Sequence, residues 1–112
     1  MPEISVRSPR LIGSEDLAVF MLIVNDGTGS DILTGYSLKE FPAARVELHD
    51  VKNGKMTKIK TLKIPAHEIV SLKRGSIHIM LFDLPVEQEK ELTLVLQFEK
   101  SGTIEVNLAT ND

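Results

Sequence analysis

His49, Met56, His78 and Met80 make two histidine/methionine pairs in a chain of 112 residues that has no cysteine. Imidazole nitrogen combined with thioether sulfur suits Cu(I), whereas zinc and the hard cations prefer other donors. His78 and Met80 lie in the apolar run Ser76-Ile77-His78-Ile79-Met80-Leu81-Phe82, which reads as a strand. Positions two apart on a strand share a face, so one strand offers a nitrogen and a sulfur side by side. The other pair flanks Asn53-Gly54, the strongest short-range signal for a two-residue hairpin turn. Such a turn sets Lys52 opposite Lys55, Val51 opposite Met56 and His49 opposite Lys58. His49 and Met56 then become diagonal neighbours on one face, within reach of a common ion.

Each donor also has an ordinary explanation. Methionine in a small β domain usually fills core space, and Met21, inside Val19-Phe20-Met21-Leu22-Ile23, is read that way. Met56 sits next to a turn between Lys55 and Thr57, where core packing is less natural. A histidine buried among apolar strands needs partners for both ring nitrogens or costs about 1–3 kcal/mol, and a metal on one nitrogen relieves half of that demand. His67, in Pro65-Ala66-His67-Glu68, is expected on the surface. A zinc enzyme would have to use all three histidines and leave the methionines idle. Blue-copper electron transfer needs a cysteine thiolate, which the chain lacks. Gly27-Thr28-Gly29-Ser30 has neither the lysine nor the helix of a phosphate loop, and no serine stands in a nucleophile elbow.

The elements that must position these residues are short β runs separated by turn residues, with no helical apolar period sustained for three turns. Strands are predicted near residues 3–8, 17–25, 31–36, 44–51, 56–63, 68–73, 76–83, 91–99 and 103–109. Gly-bearing turns at 25–27, 53–54, 74–75 and 101–102 punctuate them, and Pro42, Pro65 and Pro85 fall between runs. A single helical turn is expected within residues 37–43. Alternation in Leu92-Thr93-Leu94-Val95-Leu96-Gln97-Phe98 and Ile104-Glu105-Val106-Asn107-Leu108 marks half-buried antiparallel strands. Seven to nine such strands imply an all-β Greek-key sandwich. Its expected core is Val19, Met21, Ile23, Leu33, Val46, Leu48, Leu62, Ile64, Val70, Leu72, Leu92, Leu94, Leu96, Phe98, Val106 and Leu108.

With 42% hydrophobic residues, the length suits one domain over residues 1–112. A formal charge of −3 from 13 basic and 16 acidic residues argues against nucleic acid as a partner, and one Tyr, four Phe and no Trp supply few stacking platforms. No apolar stretch approaches the roughly 20 residues of a membrane span. Met1-Pro2-Glu3-Ile4 has no basic and apolar leader, so the chain is expected to be cytoplasmic or a mature extracytoplasmic domain.

The segments Ala44-Arg45-Val46-Glu47-Leu48-His49, Gly54-Lys55-Met56, Ile64-Pro65-Ala66 and Ser76-Ile77-His78-Ile79-Met80-Leu81 resemble the periplasmic CuA copper chaperone family, PCuAC. Members carry His, ten residues, Met, 21 residues, then His-x-Met. Residues 57–77 supply the full second spacer, while only Asp50 to Lys55 separate His49 from Met56. The shortening falls at the hairpin tip, where the register above still holds both side chains on one face. The upstream stretch Asp16-Leu17-Ala18-Val19-Phe20-Met21-Leu22-Ile23-Val24-Asn25 is also similar, so the resemblance covers roughly residues 15–108. It implies a cupredoxin-like monomer that is not an enzyme. It also implies a periplasmic or extracytoplasmic metallochaperone carrying Cu(I) on His49, Met56, His78 and Met80. The implied acceptor is the CuA site of cytochrome c oxidase, directly or through another carrier. Family members often have further methionines near the first histidine, where this chain has Asp50 and Val51, so one ion per chain is expected. The reading from a different class is an interaction or assembly module of the same fold, whose His and Met residues only pack.

Overall fold

The uninterrupted apolar run Leu17–Val24 becomes the hub of the structure, because a strand without polar alternation must be covered on both faces. The computed structural model describes residues 1–13, 16–84 and 92–108. Within them the chain forms ten strands and no helix. In chain order these are β1 (Ile4–Ile12), β2 (Leu17–Asn25), β3 (Asp31–Leu38), β4 (Arg45–Lys52), β5 (Lys55–Ile59), β6 (Leu62–Ile64), β7 (Ile69–Leu72), β8 (His78–Phe82), β9 (Leu92–Phe98) and β10 (Gly102–Leu108). One sheet runs β1-β2-β8-β4-β5 with β7 also on β2, and the other runs β10-β9-β3-β6. Every pairing is antiparallel.

The sheets meet through the alternate residues that periodicity assigns inward. Val19, Met21, Ile23, Leu48, Ile79 and Leu81 come from the first sheet, and Leu33, Ile64, Leu92, Leu94, Leu96, Phe98, Val106 and Leu108 from the second. Val46, Leu62 and Val70 pack partly buried against this cluster, so the whole expected inward set lies in or on the core. Met21 is core, as expected.

Strands β7 and β8 occupy the same side of β2 in succession: Leu72 pairs with Met21, and Ile79 with Val19. Between them the chain steps aside through a tight loop. There the Ser76 amide donates to the Lys73 carbonyl and the Lys73 amide to the Ile77 carbonyl, both at 3.0 Å, and Gly75 supplies φ +78°. Beyond the loop, β8 gains β4 as a second neighbour, which places it centrally in its sheet.

Two local expectations differ from the structure. The run 56–63 splits into β5 and β6, which belong to different sheets, giving ten strands instead of seven to nine. The chain crosses at Lys60-Thr61, where the Tyr36 hydroxyl reaches the carbonyls of Ile59 (3.2 Å) and Lys60 (3.0 Å) and ties the crossing to β3. Residues 37–43 hold no helical turn: Ser37 and Leu38 continue β3, and residues 42–43 form a turn in which the Ala44 amide donates to the Phe41 carbonyl. Pro85 lies outside the described residues, as do Glu91 and Ala109 at the ends of two predicted strands.

Candidate metal centre

On β4 and β8 the core takes Leu48, Ile79 and Leu81, so strict alternation turns Glu47, His49, His78 and Met80 to the opposite face. Register completes the cluster. His49 pairs directly with His78, Glu47 with Met80, and Arg45 with Phe82. On the other side of β4, Asn53 (φ +53°) and Gly54 (φ +77°) form a two-residue turn of the left-handed type that hairpins favour. Lys52 therefore faces Lys55, Val51 faces Met56, and His49 faces Lys58.

His49 is the hub of this face. His78 is its cross-strand partner, and Met80 and Met56 are its diagonal neighbours on either side. The two imidazole centroids are 5.8 Å apart. His49 and His78 are 8% and 7% exposed although both point away from the core, and Met80 is half-buried, whereas Met56 at the sheet edge is 56% exposed. Aromatic rings supply the cover: Phe20 stands 6.3 Å from His78, and Phe82 stands 6.2 Å from His49. The Arg45 guanidinium caps Phe82 at 4.1 Å from its ring centre. Ala18 faces Met80 from β2.

Each imidazole is fixed through one nitrogen. His78 Nδ1 donates to the Ser76 carbonyl at 2.8 Å, which leaves Nε2 as its lone-pair atom. His49 Nε2 lies 2.9 Å from Glu47 Oε1. The bond to His49 holds the Glu47 carboxyl below its usual range against the opposing effect of burial, with help from Lys58 and Arg45, each 3.7 Å away. An ionised carboxylate only accepts, so Nε2 carries the proton in neutral His49 and Nδ1 carries the lone pair. That Nδ1 is buried and has no hydrogen-bond partner. A carboxylate or carbonyl on one ring nitrogen and a bare lone pair on the other is the arrangement that orients metal-binding histidines. The donor chemistry therefore fits a soft ion, and among the described residues no group of three or more His, Asp or Glu side chains is arranged for a harder one.

The structure thus brings His49, His78 and Met80 together at the middle of one sheet face and sets Met56 beside them at its edge. Although its run of sequence is apolar, His78 lies on the face opposite the core, together with Met80. His67 is exposed in its loop, as expected. Sequence reading missed Glu47, Phe20, Phe82 and Ser76. Glu47 could have been found from its spacing, since position i−2 on a strand shares the face of His49. Ser76 contributes only a carbonyl, which no residue type advertises.

Comparison with solved structures identifies the architecture. A structure titled "Copper-bound PCuAC domain from PmoF2" superposes with a TM-score of 0.73 at 24% identity, over 96% of this chain and 92% of that one. "Apo PCuAC domain from PmoF1" gives 0.75 at 23% identity, also over 96% and 92%. The fold is therefore the cupredoxin-like sandwich of PCuAC domains. No curated protein matches the chain significantly. A family profile described as "Putative lipoprotein LpqE-like" matches residues 4–110, and the chain belongs to this LpqE-like family.

Proposed function

We propose that this domain is a Cu(I) carrier that holds one ion on His49, His78, Met80 and Met56 and releases it to an acceptor protein. The observation that carries the reading is the dry, unpartnered Nδ1 of His49, kept as a lone pair by Glu47, beside a second imidazole and two thioethers on the same face. The same fold in a structure titled copper-bound supports it. Neutral thioether and imidazole donors hold Cu(I) without offering a thiol for oxidation, which suits an extracytoplasmic carrier, and the lipoprotein description of the family agrees with that compartment. Exposed Met56 stands at the sheet edge, where an incoming donor from an acceptor can replace it first. A thiolate acceptor, such as the CuA site of cytochrome c oxidase, would draw the ion off because thiolate is the stronger soft donor. The role is carriage and not catalysis.

Anaerobic titration against a Cu(I) chelator tests the reading. One equivalent should bind per chain, zinc should compete poorly, and His78→Ala or Met80→Ala should weaken binding at least tenfold. Parent-like affinity in both variants would remove the site from these residues. Absence of stoichiometric uptake would return the domain to the interaction-module reading.

A further inference from the structure

Charge is segregated along this chain in a way that its net value of −3 hides. Residues 45–63 contain six cations, Arg45, Lys52, Lys55, Lys58, Lys60 and Lys63, against Glu47 and Asp50. The remainder has seven cations against 14 acids. The six cations are all exposed, and they run along the β4–β5 hairpin and through the crossing into β6, with Lys58 on the face of Met56 and Lys52 and Lys55 on the opposite face of the hairpin. Arg45 and Lys58 are engaged with Glu47. Among the described residues, no carboxylate forms an ion pair with Lys52, Lys55, Lys60 or Lys63. Lys52 and Lys55 even stand directly opposite one another beside the turn, a like-charge pairing that destabilises a hairpin. Lysine on an edge strand also discourages sheet-to-sheet aggregation, but one charge serves that purpose and does not require an opposed pair.

We propose that the β4–β5 hairpin, with the crossing that follows it, is a docking surface for a protein partner presenting an acidic face, and that this partner is the metal acceptor. The inference rests on the carrier reading above for the identity of the partner. Charge complementarity favours a protein over an anionic lipid surface because the cations project from both faces of the hairpin that carries Met56, Lys58 on the side of Met56 and the Lys52–Lys55 pair on the other. A partner with a cleft can grip both faces of that hairpin, whereas a flat membrane can meet only one. The patch steers an acidic partner towards that edge and sets its orientation, so its effect falls on the rate of association and on its salt dependence.

The test uses the whole chain and, as probe, a metal-free soluble CuA domain with an acidic surface. Lys52→Glu/Lys55→Glu reverses the charge while keeping a like-charge pair opposite the turn, so hairpin strain is matched to the parent. Chemical-shift mapping with both proteins metal-free at low salt should place contacts on residues 52–60, and the double variant should abolish them. Cu(I) transfer to the probe should slow at least tenfold in the variant and lose its dependence on ionic strength. The variant's chelator-measured Cu(I) affinity should stay within about twofold. Absence of contacts on the hairpin in the metal-free pair, or transfer at the parental rate with the parental salt dependence, would overturn the proposal. Binding of the parent to phosphatidylglycerol vesicles without contact to the probe would overturn it in favour of a lipid surface. Because docking is read without metal, a chain that docks but takes up no Cu(I) would refute the carrier reading and leave the docking surface standing.

Discussion

A buried ring nitrogen without a partner costs about 1–3 kcal/mol, so His49 Nδ1 is a place where this protein gives up stability to keep a donor atom bare. Glu47 enforces that state by taking the proton-bearing nitrogen. Glu47→Ala should let the proton redistribute between the two nitrogens of His49 and weaken Cu(I) binding about 10- to 100-fold, the usual effect of losing a residue that orients a metal ligand. Glu47→Gln, whose amide oxygen still accepts from Nε2, should recover most of the affinity. Long-range proton–nitrogen spectra of the apo protein report the tautomer directly, and an unchanged His49 pattern in Glu47→Ala would end the positioning role. Acid works on the same atoms from outside. A ligating imidazole must be neutral, so acid should lower Cu(I) affinity by up to one proton for each ligating histidine, while the thioethers contribute nothing. Glu47, held below the usual carboxylate range by His49, is ionised at neutral pH. Chelator competition across pH gives the slope, and a flat line would exclude both histidines as ligands.

At the level of elements, the hairpin turn was legible because Asn53-Gly54 tolerates positive φ at both central positions, and the register that places Met56 near His49 followed from it. Gly54 has open space around a would-be Cβ, so Gly54→Val tests backbone conformation alone. It should cost about 1–2 kcal/mol in denaturant unfolding and weaken Cu(I) binding through the register of β5. Asp31 was not legible. It is a buried carboxylate that accepts from the amides of Ile32 (2.8 Å), Lys100 (2.8 Å) and Ser101 (2.9 Å) and from the Ser101 hydroxyl (2.6 Å), joining the start of β3 to the β9–β10 turn. Burial pushes its pKa up, but these four bonds outweigh burial and hold it below the ordinary aspartate range. With the folded value depressed, its contribution to stability is complete above the unfolded carboxylate range and is lost as pH falls through the folded value. Asp31→Asn should therefore destabilise the domain by about 1–3 kcal/mol at neutral pH, and the gap from the parent should shrink below about pH 4. A constant gap down to pH 2 or so would mean that the charge itself contributes nothing.

At the scale of the whole molecule, alternation made the core readable because each half-buried strand declares its inner face, and all sixteen expected inward residues lie in or against the core. The split of residues 56–63 was not readable, since Ile59 and Leu62 are both apolar and only the pairing of distant strands decides which sheet takes which. Nor did sequence alone show that the second face of β8 would be covered, because Phe20 and Phe82 reach His78 and His49 only once β2, β8 and β4 lie side by side. The resulting division of labour can be tested on two neighbouring residues of β8. Ile79 is fully buried between the sheets, while Met80 points the other way and is half-buried beside Ala18 and Glu47. Ile79→Ala should cost about 3 kcal/mol in unfolding free energy, because a cavity opens where both sheets meet. The protein that remains folded should keep its Cu(I) affinity within a few fold. Met80→Ala should cost only about 1 kcal/mol, as little of its surface is sealed in the core, yet lower Cu(I) affinity at least tenfold. Denaturant unfolding and chelator competition on the two variants measure both axes. If both substitutions moved stability and affinity in proportion, the outer face would be an extension of the core and not a site held by it.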